Sequence, residues 1–144
     1  MEILLALHAI ATIMMAGLVW FVQLVHYPLF RLVGVPDFAR YEQEHTRRAT
    51  WIVAPLMVIE ALTAIALAFL ADGAALRAVA IAGLLLVAAI WASTAVLQVP
   101  CHKKLSAGFD ALATQRLIAT NWLRTLAWTA RACVALVIPA MIQP

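Results

Sequence analysis

The chain has 144 residues, of which 66% are hydrophobic and 12% are charged, and its net charge is +3. A soluble domain usually has roughly 45–50% apolar and about 25% charged residues, so the composition excludes an ordinary soluble domain. The net charge says little about partners, and nucleic-acid binding has no support because the basic residues fit a membrane topology. The two cysteines, Cys101 and Cys133, are too few and too far apart for a disulfide framework.

The apolar residues are gathered in four runs, at about residues 3–25, 49–71, 76–99 and 117–142. Each run is close to the roughly 20 residues that a helix needs to cross a bilayer. Barrel strands would alternate polar and apolar residues, and these runs do not. The sequence therefore predicts an all-α, integral membrane four-helix bundle that forms a single four-span domain over residues 1–144. The first run is too long, and lacks the basic start, for a cleavable signal peptide.

The basic residues indicate the orientation. In a four-span protein, the connections after the first and third spans lie on the same side of the membrane. They contain most of the basic residues: Arg31, Arg40, Arg47, Arg48, Lys103, Lys104 and Arg116. The positive-inside rule then predicts that these connections are cytoplasmic and that both termini lie outside. We expect a multi-pass protein of a bacterial-type inner (plasma) membrane, with membrane lipid as a partner.

The first span carries two histidines on one face. His8 and His26 are 18 residues apart, which is five helical turns and about 27 Å along the axis, so they cannot bind the same ion. Pro28 predicts the end of this helix. His8 has only Thr12 as nearby polar company on its own helix.

The second span begins with an extramembrane turn. Asp37, which follows Pro36, is the predicted N-cap. Glu42 and His45 form a Glu-x-x-His pair on one helix face, and Glu60 lies deep in the span. Glu60 falls at a depth similar to that of Arg131 in the fourth span, which predicts a buried ion pair; a proton-relay role for Glu60 is the alternative.

The third and fourth spans bring further polar residues toward the cytoplasmic face. Gln98 and His102 lie on one stripe of the third span, and Asp110 is expected to cap a lead-in to the fourth. Five polar residues are predicted to have catalytic roles: Glu42, Arg48, Gln98, Asn121 and Arg124. The arginines could instead bind an anionic group or anchor the protein at the lipid head groups.

Three histidines reach the cytoplasmic face on three different spans: His26, His45 and His102. Neutral imidazole is a good ligand for iron, copper and zinc, and Glu42 could add a carboxylate. A complete di-iron carboxylate site is not expected, because a second Glu-x-x-His pair is missing from the sequence. A three-histidine metal site, a haem or substrate pocket, acid–base chemistry without a cofactor, and simple interfacial hydrogen bonding are the alternatives.

Short motifs in the first three spans resemble the small haem-binding membrane proteins of the bacterial protoporphyrinogen oxidase type. The segments that carry this resemblance are Ala6-Leu7-His8, Ala16-Gly17-Leu18, Val25-His26-Tyr27, Arg47, Trp51, Pro55-Leu56-Met57, Lys103-Lys104-Leu105 and Gly108. The resemblance implies a four-helix bundle, a haem cofactor with His8 as an axial ligand, and an oxidase-type activity. Size and architecture are also similar to those of small four-helix oxygenases that act on aromatic polyketides.

The sequence therefore predicts a membrane-embedded oxidoreductase or oxygenase that uses a transition metal (iron, copper or zinc) or haem on a hydrophobic small molecule. The site is expected near the cytoplasmic face, where the polar residues are densest. The alternative is a non-catalytic membrane protein, either a small-molecule or ion carrier or a packing subunit of a larger complex. A carrier of this size is expected to form a homo-oligomer.

Overall fold

A computed structural model describes residues 1–142 and is all-helical over that range, without strands. Four long helices follow one another: α1 Glu2–Leu32, α2 Val35–Leu70, α3 Ala74–Leu105 and α4 Ala111–Ile142. Each is long and apolar enough to cross a membrane. The predicted all-α architecture is confirmed, and the four apolar runs lie within these longer helices, except that the second run extends one residue past the end of α2 at Leu70.

Helix α1 continues past Pro28 to Leu32, so the prediction that Pro28 ends it was wrong. A π-helical turn, Val22–His26, comes just before the proline, and a 3-10 turn, Phe30–Leu32, completes the helix. The π turn accommodates one extra residue, which lets the helix absorb the missing N–H donor of proline. Helix α3 repeats the arrangement, with a π turn at Thr94–Gln98 before Pro100.

Helix α2 begins earlier than predicted. Its N-cap is Gly34, and the N–H of Asp37 donates to the Gly34 carbonyl at 3.1 Å, so the assignment of Asp37 as the cap was wrong. Proline is well tolerated in the first helical turn, which allows Pro36 to lie inside the helix. Asp37 still stabilises the helix through its charge near the N-terminus.

Asp110, in the connection between α3 and α4, caps the start of α4 as predicted. The N–H of Ala113 donates to Asp110 Oδ1 at 2.6 Å, and Lys104 Nζ lies 2.7 Å from Asp110 Oδ2. The hydrogen bond from Lys104, followed by that from the backbone of Ala113, lowers the pKa of Asp110. Asp110 therefore stays ionised and fixes the start of α4.

The bundle is apolar outside and carries its polar residues inside. Large exposed side chains such as Phe69, Leu85 and Val96 face outward, as expected in lipid. The middle of the core contains Met15, Met57, Ile90 and Trp128, among others. The end next to the α1–α2 and α3–α4 connections has its own aromatic core: Tyr27, Phe30, Phe38, Cys101, Leu105, Ala113 and Leu117.

Candidate functional site

A group of metal-ligand side chains lies at the end of the bundle next to this aromatic core. Glu42 and His45 come from α2, and His102 comes from α3. One ligand atom from each residue lies within 4.8 Å of those of the other two. The spacing of three residues puts Glu42 and His45 on one face of α2, and the antiparallel neighbour α3 brings His102 against that face. We call these three residues the Glu–His–His group.

Glu42 is the buried centre of the group, with an exposed fraction of 0%. Its Oε1 lies 2.5 Å from Nδ1 of His102, whereas its Oε2 is buried without a hydrogen-bond partner. A buried carboxylate oxygen that lacks a partner is costly. The site therefore has capacity for a further proton donor or a cation.

Each histidine of the group also contacts a residue of α1 through one of its ring nitrogens. His45 Nδ1 lies 2.8 Å from His26 Nε2, and His102 Nε2 lies 2.9 Å from the Tyr27 hydroxyl. These contacts fix the orientation of both imidazole rings. The other ring nitrogens are His45 Nε2 and His102 Nδ1, and His102 Nδ1 is the atom that contacts Glu42. Metal-binding histidines typically have their second ring nitrogen held in this way.

His26 lies outside the Glu–His–His group, although the sequence grouped it with His45 and His102 as a ligand. It contacts His45 and packs edge-on against Phe30 at a centroid distance of 5.3 Å. Tyr27 was missed as part of the site. Its position next to His26 was visible in the sequence, but its contact with His102 on α3 depends on how α1 is rotated in the bundle.

Three of the predicted catalytic residues lie deeper, in separate hydrogen-bonded pairs and chains. Asn121 donates to Gln23 Oε1 at 2.9 Å and accepts from Arg124 Nη1 at 3.2 Å. Gln98 instead contacts Ser93 and Thr120, both at 3.2 Å. Arg124 is buried and its Nε lacks a partner.

Arg48 is the predicted catalytic residue that the structure places at the surface. Its Nε donates to Glu44 Oε2 at 3.0 Å, and Arg47 Nη2 donates to the same oxygen at 2.7 Å. Both arginine side chains are exposed. Arg48 therefore lies at the rim of the site and is partly neutralised by Glu44.

A second polar network is buried in the interior of the bundle, away from the Glu–His–His group. Arg131 Nε donates to Glu60 Oε1 at 2.8 Å, which confirms the predicted contact between these residues. His8 Nε2 lies 2.9 Å from Arg131 Nη2, and His8 Nδ1 lies 2.8 Å from Thr63 Oγ1. Both ring nitrogens of His8 are thus engaged by residues of other helices, in addition to Thr12, its polar neighbour on α1. Haem ligation by His8 stays a prediction, and it would require breaking one of these two hydrogen bonds.

A groove of about 470 Å³ opens between α1 and α2 beside the Glu–His–His group. Its polar end is formed by His26, Tyr41 and His45, with Glu44 and Arg48 also lining it. The rest of the lining is mostly apolar: Leu18, Phe21, Val22, Ala49, Ile52 and Val53. The side chain of His45 belongs both to the lining of the groove and to the Glu–His–His group.

No family model, curated protein or solved structure matches this chain. The resemblance to haem-binding oxidase-type membrane proteins therefore stays a prediction.

Proposed function

We propose that this protein is a membrane-embedded oxidoreductase or oxygenase that acts on a hydrophobic small molecule, with a transition metal bound by Glu42, His45 and His102. The observation that carries the proposal is the donor set itself. Two histidines and one carboxylate with open coordination positions are typical of non-haem iron(II) oxygenases. Iron is therefore the proposed metal.

The spacing of the donors supports this proposal. Ligand atoms at about 2.0–2.2 Å from one ion lie at most about 4.4 Å apart. The three donors lie within 4.8 Å of one another, and side-chain movements would have to bring them to the roughly 3 Å that separates two ligands at right angles around one ion. The short contact between Glu42 and His102 would be replaced by two metal–ligand bonds.

The environment of the donors supports it as well. A bound cation would compensate the buried Glu42 carboxylate, whose Oε2 has no other partner. When bound, iron would supply redox chemistry and open positions for dioxygen or substrate. The protein's own contribution is orientation, because His26 and Tyr27 hold the two imidazoles, while the aromatic core limits access of water.

The cellular placement is part of the same proposal. The site lies at the bundle end that carries the α1–α2 and α3–α4 connections, which the basic residues assign to the cytoplasm. A substrate of this enzyme is expected to dissolve in the bilayer, because the groove beside the site is mostly apolar. The termini would then lie outside a bacterial-type inner membrane.

The proposal is tested by anaerobic titration of the purified protein with iron(II), followed by nitric oxide. A non-haem iron site with an open position gives a high-spin iron–nitrosyl signal in electron paramagnetic resonance. We expect this signal in the wild type and its loss in His102→Ala, with His8→Ala as the matched control that retains it. A wild-type protein without this signal would contradict the iron assignment. If it also binds no other metal and no haem, the carrier or packing-subunit alternative is favoured.

A further inference from the structure

We infer that the groove between α1 and α2 binds the substrate, and that this substrate is an uncharged alcohol or phenol with an apolar tail that enters sideways from the bilayer. This inference rests on the proposed function, since it takes the Glu–His–His group as the reacting centre. It adds the chemical class of the substrate, its orientation and its route.

The direction of the groove gives the orientation of the occupant. His26 and His45 form its polar end, and Leu18 and Val53 each lie eight residues away on the same helices. Eight residues of helix span about 12 Å. On both helices, the direction from the histidine to the apolar residue leads from the end of the bundle toward the bilayer interior. A molecule in the groove would therefore hold its polar group at the Glu–His–His group and direct its tail into the apolar part of the membrane.

The charges at the rim favour an uncharged polar group. Arg48 is the cation that lines the groove, and its Nε already donates to Glu44, which also lines it. Glu44 is shared with Arg47 as well. A carboxylate or phosphate bound to Arg48 would also face the Glu44 carboxylate, which lines the same groove and would repel it, whereas a hydroxyl needs only a hydrogen bond from or to Tyr41 or a histidine ring.

The volume fits a small amphipathic molecule. Ligand pockets commonly have roughly 300–1,000 Å³ and a mostly apolar lining with a few polar groups. The groove has about 470 Å³, and its polar lining residues are confined to one end. His45 links this end to the Glu–His–His group, which brings the polar group of the occupant next to the proposed metal.

The test uses photolabelling in nanodiscs with a para-alkylphenol that carries a diazirine at the end of its tail. Unlabelled para-octylphenol and para-octylbenzoate serve as competitors, and mass spectrometry locates the labelled residues. We expect labelling on α1 and α2 around Leu18 and Val53. The phenol should compete roughly tenfold better than the benzoate, equivalent to about 1.4 kcal/mol.

Two variants of α2 make the test specific. Ala49→Phe places a large side chain in the groove without changing a proposed ligand, and Ala54→Phe adds the same side chain at an exposed position that does not line the groove. We expect Ala49→Phe to lower competable labelling about tenfold and Ala54→Phe to leave it unchanged. Labelling spread evenly over all four helices, labelling that Ala49→Phe does not alter, or equal competition by the benzoate would overturn the inference.

Metal content is measured on the same samples, which separates this inference from the proposed function. A protein that binds metal but lacks localised labelling refutes the groove and leaves the metal site standing. Localised labelling on a protein that binds no metal refutes the proposed function, and the groove is then an ordinary binding site.

Discussion

The carboxylate of Glu42 meets Nδ1 of His102 across the α2–α3 interface, between residues that lie 60 positions apart in the chain. The contact is buried on the Glu42 side and leaves Oε2 of Glu42 without a partner. An acid and an imidazole in this arrangement, with a second imidazole from His45 nearby, are suited to bind a cation.

Loss of the Glu42 charge should weaken the proposed metal site. Glu42→Gln keeps the shape of the side chain but removes its negative charge, so metal affinity should fall by more than the roughly 10–100-fold that loss of an outer hydrogen bond costs. The control is Glu44→Gln, which changes a half-exposed acid two residues away. Isothermal titration with iron(II) or cobalt(II) measures both. Equal affinities of the two variants would argue against Glu42 as a ligand.

His26 and Tyr27 should tune the site without being essential to it. His26→Ala and Tyr27→Phe each remove one hydrogen bond to a ring of the Glu–His–His group. We expect each to lower metal affinity by roughly 10–100-fold while the protein still binds one ion at saturation. A three-histidine site, which the sequence offered as one alternative, would instead lose its metal in His26→Ala. Complete loss of metal in His26→Ala would restore His26 as a direct ligand.

The buried pair of Glu60 and Arg131 should dominate the stability of the bundle. Glu60→Gln leaves the Arg131 guanidinium without its counter-ion, and breaking a buried pair costs on the order of 3–5 kcal/mol. The double variant Glu60→Gln with Arg131→Met should recover much of this loss. Unfolding in mixed detergent micelles measures all three proteins. If Glu60→Gln unfolds like the wild type, a proton-relay role becomes the better account of Glu60.

Gly83 should be needed for Arg131 to occupy its position. A Cβ on Gly83 would lie within van der Waals radii of Arg131 Nη1, so Gly83→Ala forces the guanidinium to move. The expected loss is about 1–3 kcal/mol, as for other overpacked cores. Gly17→Ala is the control, because nothing lies within 4 Å of its added Cβ; it should leave stability unchanged or raise it by about 0.4–1 kcal/mol. Equal effects of the two changes would show that the close approach is unimportant.

The orientation in the membrane is tested with a reporter fused to the C-terminus. The distribution of lysine and arginine predicts that this reporter lies outside the cytoplasm. A cysteine introduced at Gln43, in the extramembrane turn of α2, should correspondingly be labelled only after permeabilisation. A cytoplasmic C-terminal reporter would reverse the orientation and move the Glu–His–His group to the outer face.

The helices and the Glu60–Arg131 contact could be predicted because each follows from a strong local constraint. Apolar runs of membrane length leave few alternatives to helices. A glutamate and an arginine at matching depth must compensate each other, since neither is stable alone in hydrocarbon. The cap at Asp110 is likewise a local signal, and the structure bears it out.

The composition of the site was harder to predict because it depends on helix rotation and on distant partners. The π turns before Pro28 and Pro100 have no hydropathy signature, and the turn in α1 changes the rotation of His26 and Tyr27 relative to the residues before them. The partners of His8 lie 55 and 123 residues away in the chain. A residue pattern on one helix can identify the face that carries polar groups, but it does not specify which groups on other helices meet that face.

Metal content of the purified protein and three variants tests the central claim most directly. Protein made in cells supplied with iron, copper and zinc is purified without chelators and analysed by mass spectrometry of the metals, with a visible spectrum to detect haem. We predict about one transition-metal ion per chain, held by protein ligands in the wild type and in His8→Ala, and its loss in His45→Ala and His102→Ala. A metal-free wild type that gains none on titration, or loss of the bound group in His8→Ala alone, would contradict the account.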